Sequence, residues 1–218
     1  MQPDAAAFIR ANTAIATPPL IPEIRLHLAT EITPIWQASE DALARANVPP
    51  PFWAFPWAGG QALARYVLDD PAIVAGKRVL DFGAGSGLLA IAAAQAGAAT
   101  IVAAEIDGFA AAAIALNAAL NGVAVAVETA DLIGTVAGAW DVVLVGDMCY
   151  EQPLADRLTA WLRALAGTGV TVLLGDPGRS YVPTSGLTAL ARYTVATSRE
   201  LEDRESRDGV IWRVDPAR

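Results

Sequence analysis

The sequence predicts an α/β fold: a seven-stranded, mostly parallel sheet with an antiparallel last strand, helices on both faces and an N-terminal helical extension. Three observations carry that expectation. From residue 78 onward, short apolar runs alternate with longer helical stretches, the pattern of βαβ units around a parallel sheet. Between Asp81 and Glu105 no residue is charged, yet glycines 83, 85, 87 and 97 divide the stretch, its ends are Val-rich and its middle is Ala/Leu-rich. That composition suits strand, loop, helix, turn and strand, buried on both faces as parallel sheets require, better than a membrane span. Finally, the predicted strands end in polar or acidic residues, on the side where open α/β sheets bind ligands.

In chain order, residues 1–48 form the extension and residues 49–218 the main domain. Helical patterning runs through the extension, broken by Pro18, Pro19 and Pro22, and a helix from Glu40 to Ala46 has Ser39 as a plausible cap. The aromatic, Pro-rich run Pro49 to Gly60 leads into a helix from Gln61 to about Leu68. Strands follow near 78–82, 100–105, 123–128, 141–146 and 169–175, with helices near 87–96, 109–121 and 152–166. A helix over 185–191 and strands near 192–200 and 209–214 complete the reading. The last two strands lack a long connecting helix, which suits an antiparallel final strand.

The candidate site begins at Asp81-Phe82-Gly83-Ala84-Gly85-Ser86-Gly87. Glycines there let a ligand lie against bare backbone, and the amides opening the next helix point at it. A tight strand–helix turn with a capping acid is the plainer alternative. The second strand ends in Glu105, eighteen positions after Gly87, placed to accept hydrogen bonds from ribose hydroxyls. Asp107 is its rival and the better helix cap. The third strand leads to Asp131, suited to an exocyclic amine. The fourth ends in Asp147-Met148-Cys149-Tyr150, and the fifth in Gly175-Asp176-Pro177-Gly178-Arg179, where Pro and Gly occupy the centre of a type II turn. Trp53, Phe55 and Trp57 suit a core first, and their cluster beside Gly59-Gly60 also suits a lid or cofactor wall.

Composition narrows the function classes. One cysteine, Cys149, excludes an internal disulfide and a cysteine metal cluster. It reads as a small buried thiol. The single histidine, His27, excludes a multi-histidine metal site. A net charge of −8 opposes nucleic-acid binding, and arginines 199, 204, 207 and 213 alternate with Glu200, Glu202, Asp203 and Glu205 as in a solvated mixed-charge face. Met1 to Arg10 lacks a basic-then-apolar signal pattern, which predicts a cytoplasmic protein. No Gly-Lys-Ser/Thr follows the glycines, excluding a nucleoside-triphosphate loop. A nicotinamide-dependent reductase is opposed by Leu88 at the third-glycine position and by the lack of a Tyr-x-x-x-Lys pair.

The acid opening a G-x-G-x-G loop resembles the first motif of class I S-adenosylmethionine (SAM)-dependent methyltransferases. With Pro51 to Tyr66, Asp147-x-x-Tyr150 and Gly175 to Arg179, the chain resembles, over nearly its whole length, bacterial relatives of the electron transfer flavoprotein β-subunit lysine methyltransferases. The resemblance implies a Rossmann-like methyltransferase sheet, SAM as cofactor and a lysine of a folded protein as acceptor. It implies cofactor contacts from Trp57, Asp81, Gly83, Gly85, Gly87, Glu105 and Asp131. Asp147 and Tyr150 are then the catalytic pair near the methyl group, and Asp176 and Arg179 serve the substrate. Glu105 stands where many such enzymes carry Asp, which keeps the carboxylate and lengthens its reach. Ribosomal-protein methyltransferases share the loop and second acid, so a ribosomal protein or a small amine is the alternative acceptor. No metal, nucleic acid or membrane partner is expected.

Overall fold

The computed structural model describes residues 4–31, 33–37, 49–135 and 140–217. The extension contributes α1 (Ala5–Asn12), the strands β1 (Ala14–Ala16) and β2 (Leu26–Leu28), and α2 (Pro34–Gln37). The main domain follows with α3 (Ala58–Asp69), β3 (Arg78–Phe82), α4 (Leu88–Gln95), β4 (Thr100–Ala104), α5 (Gly108–Leu120), β5 (Ala126–Glu128) and β6 (Val142–Gly146). It ends with α6 (Gln152–Gly167), β7 (Thr171–Asp176), β8 (Leu187–Ala196), α7 (Arg199–Glu202) and β9 (Ser206–Val214).

Seven strands form one sheet in the order β5-β4-β3-β6-β7-β9-β8. Strands β3 to β7 pair in parallel, whereas β9 is antiparallel to both neighbours, β7 and β8. The last strand in sequence thus lies inside the sheet rather than at its edge. Strand order reverses between β3 and β6, so their carboxyl ends flank the crevice where such sheets bind ligands. The central strands are apolar and buried on both faces: Val79, Leu80, Val142, Val143 and Leu144 have no accessible surface. No described helix is long and apolar enough to cross a membrane. The uncharged stretch after Asp81 is β3, a glycine loop, the eight-residue α4 and β4.

Three expectations need correction. Residues 187–196 form a ten-residue strand, not a helix over 185–191; Thr188, Tyr193, Thr194 and Val195 are β-formers whose partner β9 supplies the ladder. Among the described residues of the extension, Ala5–Asn12 and Pro34–Gln37 are the helical stretches, and β1 and β2 pair antiparallel across the proline-broken segment between them. Pro18 and Pro22 fall in that connection, where a missing amide costs no ladder hydrogen bond. Glu202 is buried rather than part of a solvated face. The helix expected from Glu40 to Ala46, with its Ser39 cap and the domain boundary at 48, lies outside the described residues.

The extension shares the main core. Ile21, Ile24, Leu26 and Leu28 are buried in one cluster with Leu63, Ile91 and Leu144. Asn117 of α5, fully buried, ties the two parts: its Nδ2 donates to the Ser86 carbonyl at 2.8 Å and its Oδ1 accepts the His27 amide at 2.8 Å.

Helix α3 lies unusually close to the sheet, and glycine makes that possible. A Cβ at Gly175 would overlap the Gly59 carbonyl oxygen and stand 2.8 Å from the Leu63 Cβ. A Cβ at Gly146 would stand 3.0 Å from the Gly60 Cα. Backbone cannot retreat as a flexible side-chain end can, so Gly175→Ala is expected to destabilise the fold by about 2 kcal/mol or more, read as a lowered melting temperature. An unchanged Tm would show that α3 can back away from β7.

Candidate active site

The carboxyl ends of β3, β4 and β6 and the loop after β5 surround a cavity of about 380 Å³, within the range of small-molecule sites. Gly83 and Gly85 contribute bare backbone from the loop after β3, and Glu105 stands at the end of β4. Asp131 and Arg157 sit at the side beyond β5, while Asp147, Tyr150 and Arg179 close the end beyond β6 and β7. Phe52, Trp53 and Trp57 form a wall from the aromatic segment before α3. Residues from six separate regions of sequence therefore meet in one place.

The glycine loop takes its shape from left-handed backbone. Gly83, Gly85 and Gly87 have φ of +68°, +52° and +79°, a region that only glycine enters at little cost. Gly87 is the N-cap of α4 and faces Ile114 of α5 rather than the cavity. Asp81 lies beneath the loop, almost fully buried. One carboxylate oxygen accepts the Ala90 amide at 2.9 Å and the other has no partner. Burial is the main reason its pKa rises to about 7, with the nearby Glu105 carboxylate adding to the effect and the Ala90 amide opposing it. Asp81 borders a smaller adjoining cavity of about 60 Å³.

That raised pKa has a stability consequence. The native state holds the Asp81 proton well above pH 3.8, where an unfolded chain has released it. The group's contribution to stability therefore falls as pH rises from about 4 to about 7 and is flat beyond. Asp81→Asn, which does not titrate, is expected to gain in Tm over the wild type between pH 4.5 and pH 8. Parallel Tm–pH curves would disprove the buried charge.

Glu105 bridges the two loops: its carboxylate accepts the Gly85 amide at 3.0 Å and the Asp107 amide at 3.0 Å, and burial pushes its pKa up. Asp107 caps α5 through the Phe109 amide at 2.8 Å. Asp131 is half-exposed, accepts the Ile133 amide at 3.0 Å and pairs with Arg157 at 3.1 Å; these contacts hold its pKa down. Ile106, 74% exposed, lines the cavity together with Ala110, Ala130, Ile133 and Leu154.

Asp147 is the most constrained acid. It has φ +58°, left-handed backbone that Asp tolerates better than most residues. Its Oδ2 accepts the Gly60 amide at 2.6 Å, with the nearby Gly59 amide favouring the charged form, and its Oδ1 accepts Arg179 Nη2 at 2.8 Å. Helix α3 has no side-chain cap at Trp57, so a carboxylate from β6 occupies its positive end instead. Burial nevertheless raises the Asp147 pKa, against the pull of Arg179. The Arg179 guanidinium also lies over the Trp57 ring, 5.3 Å from its centroid.

Tyr150, 47% exposed, stands at the mouth with its ring centroid 6.2 Å from that of Phe52. Asp176 does not reach the cavity. It is fully buried, its Oδ1 accepts the Gly178 and Arg179 amides at 2.7 Å each, and Gly178 has φ +88° as the turn requires. Its role in the geometry is to set the turn that carries Arg179. Cys149 is buried, which pushes its thiol up to about 12, and His27 lies on β2 away from the cavity.

Phe52, Ile106 and Met148 line the cavity without having been singled out as ligands in the sequence, and Glu202 lies behind it, 3.7 Å from Arg179. Ile106 had one usable signal, an apolar residue directly after a strand-end acid. Among the described residues no cluster of potential metal ligands occurs. The donor set fits SAM: a glycine cradle that a Cβ would fill, half-buried Glu105 for ribose hydroxyls and an apolar slot beside Ile106 for a flat base.

Residues 62–148 match a family model described as "Ribosomal protein L11 methyltransferase (PrmA)", which spans the glycine loop through Asp147. Among solved structures, Synechocystis magnesium protoporphyrin IX methyltransferase with bound SAM superposes at TM-score 0.52 with 19% identity, covering 70% of this chain and 76% of that one; it shows the fold alone. The electron transfer flavoprotein β-subunit lysine methyltransferase of Xenopus laevis is 39% identical over 216 residues, 96% of this chain and 87% of that protein. Its Homo sapiens counterpart is 37% identical over 223 residues, 99% and 84% respectively. The chain is a methyltransferase, and it belongs to the electron transfer flavoprotein β-subunit lysine methyltransferase family.

Proposed function

We propose that the protein transfers methyl groups from SAM to lysine side chains of the electron transfer flavoprotein β-subunit. The observation that carries this reading is the meeting of the glycine loop, Glu105 and Asp147 with Tyr150 in one cavity, in a chain whose relatives of that name align along nearly its full length. Gly83, Gly85 and Glu105 hold the cofactor, with Asp131 and Trp57 bounding it and Asp81 and Gly87 fixing the loop's shape. SAM supplies an electrophilic methyl group on a sulfonium.

The acceptor must arrive as a free amine, because only a neutral lysine has a lone pair to attack, and its pKa in water is about 10.4. Phe52, Trp57 and Tyr150 give the mouth an apolar wall that disfavours the ammonium form, and the Arg179 guanidinium acts in the same direction. Asp147 then accepts a hydrogen bond from the amine and aims its lone pair, while Tyr150 shapes the channel. Alignment of this kind is worth up to roughly 7–11 kcal/mol. The amine proton leaves to solvent, so no histidine base is needed.

A ribosomal protein as acceptor is the second reading, favoured by the family match over residues 62–148. That match covers the cofactor half and stops before Tyr150, Arg179 and Glu202, whereas the flavoprotein relatives align through the C-terminal half. Radiolabelled SAM offered with electron transfer flavoprotein and with ribosomal protein L11 separates the two. Label on β-subunit lysines, in mass steps of one CH₂, is expected; label confined to L11 or to small amines would replace the acceptor assigned here. Arg179→Ala is expected to weaken methyl transfer while leaving SAM affinity within about twofold, and a large loss of SAM binding would move Arg179 to the cofactor.

A further inference from the structure

Arg179 stands between two buried carboxylates. Its Nη2 is 2.8 Å from Asp147 Oδ1 and 3.7 Å from Glu202 Oε1, so one pair is hydrogen-bonded and the other is only close. Glu202 Oε1 and Arg179 Nε are both buried without a hydrogen-bond partner. Leaving such groups unsatisfied in the interior is costly. The Glu202 side chain is 3% exposed. Arg207 Nε stands 3.5 Å from its Oε2, and the Ala58 amide at the start of α3 favours its charged form. The first turn of α3 thus meets two acids, Glu202 at Ala58 and Asp147 at Gly59 and Gly60. Glu202 comes from α7, in a stretch that reads in sequence as solvated charge.

As it stands, Asp147 has little room for an amine, since amides occupy Oδ2 and Arg179 occupies Oδ1. A small shift of the guanidinium across the Trp57 face, shortening 3.7 Å to hydrogen-bond length, satisfies Glu202 Oε1 and opens Asp147 Oδ1. We propose that Glu202 is a positioning residue for methyl transfer: it provides the second seat onto which Arg179 moves when the acceptor amine takes its place on Asp147. The inference rests on the reading that Asp147 receives the amine. No charge is lost in the exchange, because Arg179 is paired with a carboxylate in both positions. Without Glu202 the guanidinium has only Asp147, and the amine must displace it into an uncompensated, buried state.

The charged and titratable groups facing this cluster are Asp147 from β6, Cys149 and Tyr150 from the loop after it, Asp176 from β7, Arg179 from its turn, Glu202 from α7 and Arg207 from β9. Burial leads in raising Asp176 to about 6 and Cys149 to about 12, so neither titrates where a lysine amine does. Removing the negative charge of Glu202 leaves the acceptor amine beside a more positive cluster, and the ammonium then releases its proton at lower pH.

The test uses the full-length enzyme with SAM and electron transfer flavoprotein, comparing Glu202→Gln, Arg179→Gln, the double variant and Asp147→Asn. Glu202→Gln is expected to lower kcat/KM for the protein acceptor about tenfold, leave SAM affinity within twofold, and move the rising limb of the kcat–pH profile down by roughly half a unit. Arg179→Gln should move that limb up. In the Arg179→Gln background, Glu202→Gln should cost nothing further, because its effect runs through Arg179. Equal losses from Glu202→Gln in both backgrounds, or a loss with an unshifted pH limb, would reduce Glu202 to a structural cap and overturn the proposal. Wild-type activity in Asp147→Asn would instead remove the amine reading on which it rests.

Discussion

Asp147→Asn is expected to lower kcat by about 10²-fold or more, roughly 2.7 kcal/mol of lost transition-state stabilisation, with SAM affinity nearly unchanged. Asn keeps the size and one oxygen that can accept the Gly60 amide, now at 2.6 Å from Asp147 Oδ2. It loses the charge that draws Arg179 to 2.8 Å and that would hold an amine. Because alignment of the amine matters most as the bond forms, the loss should appear in kcat more than in binding. The variant also relieves a buried charge, so its Tm should stay near that of the wild type. Single-turnover rates, calorimetric SAM affinity and Tm measured on one preparation decide the matter. A variant as fast as the wild type would show that Asp147 serves α3 alone.

Gly85→Arg is expected to weaken binding of SAM or its demethylated product at least 100-fold in calorimetry. Gly85 lines the cavity with φ +52°, and a Cβ there would meet only the Trp53 Cα, at 3.8 Å. Space for the first atom exists, so the fold should survive with about 1–3 kcal/mol of backbone strain. The rest of the side chain extends where the cofactor is proposed to lie. The Gly85 amide also donates to Glu105 at 3.0 Å, so a displaced loop disturbs the second acid too. Retained SAM affinity, or tight binding of NAD, would move the cofactor site away from this loop.

Much of this site is legible because its residues lie where strands end. Asp81 and the three glycines follow a Val-Leu run, Glu105 follows Thr100 to Ala104, and Asp147 follows Val142 to Val145; period and punctuation alone place them on one side of the sheet. Asp176 fits the same rule but turns inward, because an Asp before Pro-Gly satisfies its own turn first, here through the Gly178 and Arg179 amides. Residues 187–196 misled for another reason. Their Leu-Thr-Ala-Leu-Ala composition suits a helix locally, and only the β9 partner over nine paired positions makes them a strand.

From the sequence alone follow the α/β class, the parallel core with its antiparallel last strand, the glycine cradle and the acids at the strand ends, since each depends on local pattern and on residue chemistry within a few positions. The tertiary structure alone decided the rest. It placed β9 between β7 and β8, laid α3 against glycines 146 and 175, and capped that helix with acids from β6 and α7. It also buried Glu202, more than fifty residues beyond Asp147 in the chain, within reach of the same arginine. Long-range contacts of this kind leave no periodic trace in a single sequence, because what sets the burial and charge of such a side chain is the neighbour that folding brings to it.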